Sequence, residues 1–218
     1  MADIVIVDYH KGNLMSVKRG IEAAGGSARI SDDPGSIARA RAVVLPGVGS
    51  FADASSFMHA SGQADAVRAV IDAGRPFLGI CLGMQLLFER GAEGAGPSAW
   101  APGLGVLGGS CTRLRAGGLK VPHVGWDDVS LEADPGPLFA GVPEGSHFYF
   151  THSYVVRPSD ASAVSCRCVY GEPFAAAVAR DAVFGCQFHP EKSSHRGLEV
   201  LRNFVGVVSG HEAKGGLR

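Results

Sequence analysis

The sequence predicts an α/β fold in which helices flank a mainly parallel, open sheet, with additional antiparallel strands in the second half. Two observations support this prediction. Over about the first 90 residues, short apolar runs alternate with segments of helical spacing, which is the order of a doubly wound parallel sheet. Beyond them, short apolar runs separated by turns follow one another, which is typical of antiparallel or mixed β-structure.

The first half contains two predicted helices among four predicted strands. Residues 14–24 place Leu14, Val17 and Ile21 at helical spacing and stop at a pair of glycines. Residues 64–73 repeat this spacing and also end at a glycine. The strands are predicted at residues 3–8, 28–30, 41–45 and 77–80.

The second half is predicted to add strands to the same sheet and to close with a helix at residues 196–208. Residues 91–103 are rich in Gly, Ala and Pro and are predicted to form a loop. We expect one domain over residues 1–210 and a frayed tail over residues 211–218. The strands are predicted at residues 105–107, 111–114, 128–131, 147–154, 163–170, 174–179 and 183–188.

The composition argues against several classes of protein. The chain has 20 basic and 21 acidic residues with no long run of one sign, so we expect neither nucleic-acid nor membrane binding. Its start lacks the basic region of a signal peptide, and no apolar run is long enough to span a bilayer. Five cysteines, an odd number, indicate reduced thiols and a cytoplasmic protein. Cys166 and Cys168 share a face of a predicted strand, but no partnering cluster has metal-ligand spacing, so we predict no metal and no cofactor.

The most informative stretch is residues 79–83, Gly-Ile-Cys-Leu-Gly, which follows an apolar run and precedes a predicted helical segment at residues 84–89. This is the Gly-x-nucleophile-x-Gly pattern of a nucleophile elbow, with Cys81 in place of serine. Such a nucleophile lies on a sharp, strained turn, where glycines avoid clashes with the neighbouring strand and helix. A helix that begins after the cysteine favours its thiolate form. On this pattern alone, a buried cysteine at a strand end is an equal alternative.

A cysteine nucleophile needs a base and a group that orients the base. The predicted strand at residues 183–188 leads into His189-Pro190-Glu191, and in an extended chain His189 and Glu191 point the same way. The imidazole can accept the thiol proton, while the carboxylate fixes its tautomer. The remaining histidines lack this combination of a strand end and an adjacent carboxylate.

The segment Pro-Gly-Val-Gly at residues 46–49 follows the third predicted strand and suggests an oxyanion hole. Two glycines allow backbone N–H groups to turn toward a substrate oxygen, and the N–H group of Leu82 would be a second donor. Taken alone, the segment also fits an ordinary Gly/Pro loop.

Residues 79–85 together with Phe-His-Pro-Glu at residues 188–191 resemble the class I glutamine amidotransferase family, which has a flavodoxin-like α/β fold and a catalytic triad. Members of this family hydrolyse L-glutamine to glutamate and ammonia through a cysteine thioester. The resemblance implies that Cys81 is the nucleophile, His189 the general base and acid, and Glu191 the orienting carboxylate. It also implies contacts to the oxyanion at Val48 and Leu82, and to glutamine at Gly47, Gly49, Gln85, Ser153 and Tyr154.

Four further stretches resemble one branch of this family, whose partner is a cyclase of histidine biosynthesis with a (β/α)8 barrel. They read DYHKGNL at 8–14, LPGVGSF at 45–51, KVPHVGW at 120–126 and HFYFTHSY at 147–154. The resemblance, which extends from residue 3 to about residue 205, implies a heterodimer with this cyclase. It places the interface and the ammonia exit near Asn13, Trp126, Tyr149 and Lys192.

Two residues depart from the pattern of the family. Asp127 stands where the family usually has Asn, and Ser16 where some relatives have Asn. Neither belongs to the predicted triad, so these departures bear on the coupling to the partner.

Three other interpretations remain open on the sequence. The chain could be the glutaminase of another ammonia-using synthase, such as that of anthranilate, GMP or pyridoxal phosphate synthesis. It could also be a regulatory module that has kept the fold and lost catalysis. The third is a cysteine hydrolase with another elbow fold.

Overall fold

The computed structural model describes residues 3–96 and 99–215. The helices are α1 (Leu14–Ala23), α2 (Pro34–Ala38), α3 (Phe51–Ala60), α4 (Gln63–Asp72), α5 (Leu82–Gln85) and α6 (Ser194–Gly215). The strands of the first half are β1 (Asp3–Val7), β2 (Ser27–Ser31), β3 (Ala42–Leu45), β4 (Phe77–Ile80), β5 (Phe88–Gly91), β6 (Ala101–Pro102) and β7 (Leu107–Arg113). Those of the second half are β8 (His123–Asp128), β9 (Ser130–Leu131), β10 (His147–His152), β11 (Tyr154–Pro158), β12 (Val164–Tyr170), β13 (Glu172–Arg180) and β14 (Val183–Cys186).

An eight-stranded sheet runs through both halves of the chain in the order β2-β1-β3-β4-β14-β13-β12-β9. Its first five strands are parallel, and the remaining ones are joined antiparallel. This arrangement confirms the predicted fold class. The strands β4 and β14 are neighbours, with Cys186 paired to Ile80, so the segments that follow them meet at one edge of the sheet. The predicted nucleophile and its predicted base follow these two strands.

Helices cover both faces of the sheet, as predicted. Ile4 and Ile6 of β1 belong to a buried cluster with residues of α1 and α6. Val5 and Val7, which point the opposite way, belong to a second cluster with residues of α2, α3 and α4. Because each strand buries side chains on both faces, the parallel strands read as nearly continuous apolar runs in the sequence.

The predicted helix at residues 84–89 is wrong. The helix α5 ends at Gln85 after one turn, and the chain enters β5 at Phe88. The carbonyl groups of Leu86 and Leu87 accept hydrogen bonds from the N–H groups of Leu104 and Leu107, at 2.7 and 2.9 Å. These bonds to a distant segment replace the helical bonds that the local spacing predicted.

Several other elements differ from the prediction. The helices α2 and α3 and the strand β8 were not predicted, and the two strands predicted at 105–107 and 111–114 are the single strand β7. The strand predicted at 147–154 breaks at Ser153, because β10 pairs with β8 whereas β11 pairs with β7. These pairs belong to a two-stranded and a four-stranded sheet, so the prediction that the second half adds its strands to the same sheet is wrong for them. In the predicted loop, Ala101–Pro102 form β6, and residues 97–98 lie outside the described residues.

The closing helix is longer than predicted. It continues to Gly215 and so includes residues 211–215 of the predicted tail, whereas residues 216–218 lie outside the described part of the chain. Among the helices of residues 3–96 and 99–215, none is both long and apolar enough to cross a membrane.

Candidate active site

Cys81 lies on a sharp turn between β4 and α5. Its backbone has φ 53° and ψ −108°, a conformation that side-chain-bearing residues rarely adopt. The N–H group of Cys81 donates to the carbonyl of Cys186 at 2.7 Å, which ties the turn to the end of β14. The strain predicted for a nucleophile elbow is therefore present at the predicted residue.

The two elbow glycines are needed because strand, turn and helix approach one another closely. A Cβ atom on Gly79 would lie 2.6 Å from the backbone of Gly83. A Cβ atom on Gly83 would lie 1.7 Å from the carbonyl oxygen of Leu45 on the neighbouring strand β3. Neither position has room for a side chain, which explains the Gly-x-Cys-x-Gly pattern in physical terms.

His189 and Glu191 form a buried pair beside the elbow. His189 Nδ1 lies 2.8 Å from Glu191 Oε1, and the two side chains are 4% and 2% exposed. The backbone holds the histidine firmly, since its N–H donates to the carbonyl of Tyr149 and its carbonyl accepts from the Ser193 hydroxyl. A carboxylate on Nδ1 leaves Nε2 as the nitrogen that can exchange a proton with a thiol.

The pKa of His189 depends on its interactions with Cys81 and Glu191. Burial alone lowers the pKa of His189, but its interactions with Cys81 and Glu191 outweigh burial and raise the pKa to about 10. Its Nε2 atom is buried and makes no hydrogen bond of normal geometry to any described residue. Such contacts are often loose in a free enzyme and tighten when substrate binds. The arrangement therefore favours the imidazolium form of His189.

A pocket of about 340 Å³ opens at the elbow and gathers most of the predicted site. The predicted residues in its wall are Val48, Gly49, Cys81, Leu82, Gln85, Ser153 and Tyr154. Gly47 is not among the lining residues, and a Cβ atom on it would lie 1.7 Å from the Tyr9 hydroxyl oxygen. Gly49 has φ +101°, so the segment uses one glycine for close packing and the other for its backbone conformation. The volume suits a small polar molecule.

Three residues near Cys81 were not predicted from the sequence. Glu93 and His152 line the pocket, and Gln187 is fully buried with its Nε2 3.5 Å from Cys81 Sγ. Burial raises the pKa of Glu93, whose carboxylate accepts from the N–H group of Phe51 at 3.3 Å. Of the three, only Gln187 could have been noticed in the sequence, because it is the one polar side chain in the apolar run before His189.

Three of the four predicted interface residues, Trp126, Tyr149 and Lys192, lie close together. The Trp126 and Tyr149 rings are 6.1 Å apart, and Lys192 Nζ lies 5.8 Å above the Tyr149 ring. Trp126 is 52% exposed, an unusual fraction for a tryptophan. Asn13 caps α1, since its side chain accepts from the N–H group of Ser16 at 3.2 Å. Asp127 approaches the buried His123, with 3.4 Å between Oδ2 and Nε2.

All five cysteines are free and buried. The Cys166 and Cys168 thiols both have pKa values raised chiefly by burial, which is typical of inert structural cysteines. Within the described residues, no group of three or more His, Cys, Asp or Glu side chains could hold a metal ion.

His152 is expected to make the stability of the protein sensitive to acid. Burial lowers the pKa of His152 to about 3, so the folded state keeps this imidazole neutral, whereas the unfolded chain takes up a proton below about pH 6.5. Stability is therefore fully present above the unfolded pKa and is lost as the pH falls, by up to about 1.4 kcal/mol per pH unit.

Urea unfolding at several pH values between about 7 and 4 measures this slope. The variant His152→Phe should flatten it, whereas substitution of the exposed His147 by Phe is the matched control. An unchanged slope in His152→Phe would contradict a neutral His152 in the folded state.

The family model of the class-I glutamine amidotransferases matches residues 5–207. The chain therefore belongs to the class-I glutamine amidotransferase family. Within it, the chain is 48% identical over 208 residues to "Imidazole glycerol phosphate synthase subunit HisH" of Moorella thermoacetica, covering 95% of this chain and 96% of that protein. It is 45% identical over 207 residues to the HisH subunit of Syntrophotalea carbinolica, covering 92% and 98% of the two chains.

Solved structures show the same fold at much lower identity. A glutamine amidotransferase structure superposes with a TM-score of 0.71 at 20% identity, covering 94% of this chain and 98% of that one. A chain in the structure of PurLQS from Thermotoga maritima superposes with a TM-score of 0.69 at 18% identity, covering 97% and 99%. These two likenesses concern the fold alone.

Proposed function

We propose that the chain is the glutaminase subunit of an imidazole glycerol phosphate synthase, which supplies ammonia for histidine biosynthesis in the cytoplasm. The observation that carries this proposal is that Cys81, on its strained turn in the wall of a small pocket, and the buried His189–Glu191 pair follow the ends of the adjacent strands β4 and β14. The similarity to HisH subunits supports the identity of the synthase. A reducing cytoplasm also suits five free thiols.

In the proposed reaction, His189 takes the proton of Cys81 and the thiolate attacks the side-chain carbonyl carbon of L-glutamine. The carbonyl oxygen becomes an oxyanion, which the backbone N–H groups of Leu82 and Val48 stabilise. His189 returns the proton to the amide nitrogen, the C–N bond breaks, and ammonia leaves a γ-glutamyl thioester. A water molecule, deprotonated by His189, then attacks the thioester and releases glutamate and the free cysteine.

The pocket offers groups for both ends of the amino-acid part of glutamine. Gln85 Nε2 already donates to the Tyr154 carbonyl and to Gln187, so its Oε1 atom is the acceptor that we assign to the α-ammonium group. The Glu93 carboxylate lies in the same pocket and adds a negative charge for this ammonium. We assign the α-carboxylate to the backbone N–H groups of Ser153 and Tyr154, with Gly47 and Gly49 shaping the opposite wall.

The proposed partner is a cyclase subunit with a (β/α)8 barrel, which uses the ammonia to make imidazole glycerol phosphate and AICAR. We assign the contact with this subunit to Asn13 and to the cluster of Trp126, Tyr149 and Lys192. An exposed tryptophan edge-on to a tyrosine is the kind of anchor that protein interfaces use. Ammonia would leave the pocket toward this surface.

The cyclase and its ligand are expected to raise the rate of glutamine hydrolysis by about 10²-fold or more. Losing one oxyanion donor typically costs about 10²–10³ in rate. The donor segment around Gly49 can change its backbone conformation, because glycine has no Cβ atom that would restrict it. Glutamate release by the purified chain, measured with and without the partner, tests this. L-Asparagine, one methylene shorter, is the substrate control.

A rate that does not respond to the partner would contradict this gating. No hydrolysis of glutamine in any condition would contradict the proposed function itself and favour a silent regulatory module.

A further inference from the structure

A side chain outside the predicted triad also contacts the sulfur of Cys81. Gln187 Nε2 donates toward Cys81 Sγ at 3.5 Å, and Gln187 is fully buried. The residue follows the last position of β14 and precedes His189 by two positions. The backbone fixes it, since its N–H group donates to the carbonyl of Ala176 at 2.8 Å. The same short segment therefore carries both the predicted base, His189, and an amide that donates to the sulfur of Cys81.

The orientation of the Gln187 amide follows from its other contact. Its Oε1 accepts from Gln85 Nε2 at 3.1 Å, so the oxygen is occupied and the NH2 group faces the sulfur. Turning the amide over would set two NH2 groups against each other and an oxygen against the sulfur lone pairs. Hydrogen bonding therefore selects the orientation that donates to Cys81.

Gln85 is in turn held by a buried chain of hydrogen bonds. Its Nε2 also donates to the Tyr154 carbonyl at 3.1 Å, and the same oxygen lies 3.0 Å from His152 Nδ1. A carbonyl only accepts, so His152 carries its proton on Nδ1, and its Nε2 lies 3.1 Å from His123 Nδ1. The Tyr154 carbonyl therefore fixes the Gln85 amide, and Gln85 in turn fixes the Gln187 amide.

We propose that Gln187 is a further catalytic residue of the glutaminase reaction, whose amide N–H stabilises the Cys81 thiolate, and that Gln85 and His152 are positioning residues for it. The inference rests on the proposed function. A neutral thiol is a weak acceptor, whereas a thiolate accepts a charge-assisted hydrogen bond. The contact therefore favours the form of Cys81 that attacks the substrate. A buried thiolate also needs such a partner, since an unpaired buried charge is costly.

Two variants separate the donor from the rest of the Gln187 side chain. Gln187→Leu removes the donor and the acceptor, whereas Gln187→Glu keeps an oxygen for Gln85 and replaces the NH2 group with a second oxygen. With the cyclase present, we expect kcat for glutamine hydrolysis to fall about 10- to 100-fold in both, because hydrogen bonds to charged groups contribute on this scale. KM should change little. Thermal unfolding of both variants reports whether each still folds.

A second measurement reports on the Cys81 thiolate in the absence of glutamine hydrolysis. The rate of Cys81 alkylation by iodoacetamide at pH 7 should fall by a similar factor in both variants and recover as the pH is raised. If the substitutions only disturbed the structure around Cys81, the alkylation rate would stay low as the pH is raised. Cys81→Ala identifies the labelled residue, because the other four cysteines are fully or almost fully buried.

Gln63→Leu is the matched control. Gln63 is also fully buried, and its Nε2 donates to the carbonyls of Asp8 and Asp32 instead of to a pocket residue. Its variant should keep the wild-type alkylation rate. Wild-type kcat and alkylation rate in both Gln187 variants would overturn the inference. If the wild-type complex does not hydrolyse glutamine, the proposed function fails, and alkylation still reports on Gln187.

Discussion

Cys81→Ala should abolish glutamine hydrolysis, with a fall in kcat of at least about 10⁴-fold. The reason is that the thioester pathway needs a sulfur nucleophile, and removing the nucleophile of a triad leaves only the residual effect of binding and oxyanion contacts. Alanine has a Cβ like cysteine, so the backbone at φ 53° should be no more strained than before. Glutamate release in the presence of the cyclase measures the loss.

The matched control is Cys111→Ala, which removes a fully buried thiol away from the pocket wall. Its hydrolysis rate should stay near that of the wild type if the variant folds. In the Cys81→Ala complex, synthesis from added ammonia should survive, because this route bypasses the glutamine site. Retention of glutaminase activity in Cys81→Ala would contradict the assignment of the nucleophile.

The central sheet was predictable because its strands are buried on both faces. The run at residues 77–80 matches β4 at both ends, and β1, β2 and β3 match to within one residue at each end. The segment after Cys81 was not predictable from local spacing. Met84, Leu87 and Phe88 have the spacing of a helix. In the structure, however, the carbonyls of Leu86 and Leu87 accept hydrogen bonds from N–H groups of residues 104–107. Such long-range hydrogen bonds leave no local signal in the sequence.

The candidate site was predictable where residues follow the ends of adjacent strands. Cys81 and His189 come after β4 and β14, and parallel neighbours bring such ends to one edge. The environment of the sulfur depends instead on contacts between distant residues. Gln85 and Gln187 are 102 positions apart, and a single sequence does not show that their amides meet.

Glu191→Gln should lower kcat by about 10²–10⁴-fold, the scale at which general acid–base groups and their orienting carboxylates act. The carboxylate accepts from His189 Nδ1 at 2.8 Å and so fixes the tautomer with Nε2 toward Cys81. An amide in its place can present its NH2 group to Nδ1, which favours the opposite tautomer. Glu199→Gln, which removes a carboxylate paired with Arg196 on α6, is the matched control and should leave kcat unchanged.

The pH dependence of this variant gives a second test. The interactions of His189 with Cys81 and Glu191 raise its folded pKa to about 10, so the stability they provide is present below the unfolded value of about 6.5 and is lost as the pH rises through about 10. Removing the Glu191 charge lowers the pKa of His189. The decline of the glutaminase rate on the alkaline side should therefore begin at a lower pH in Glu191→Gln than in the wild type. A rate–pH profile whose alkaline side stays in place would show that Glu191 does not control the charge of His189.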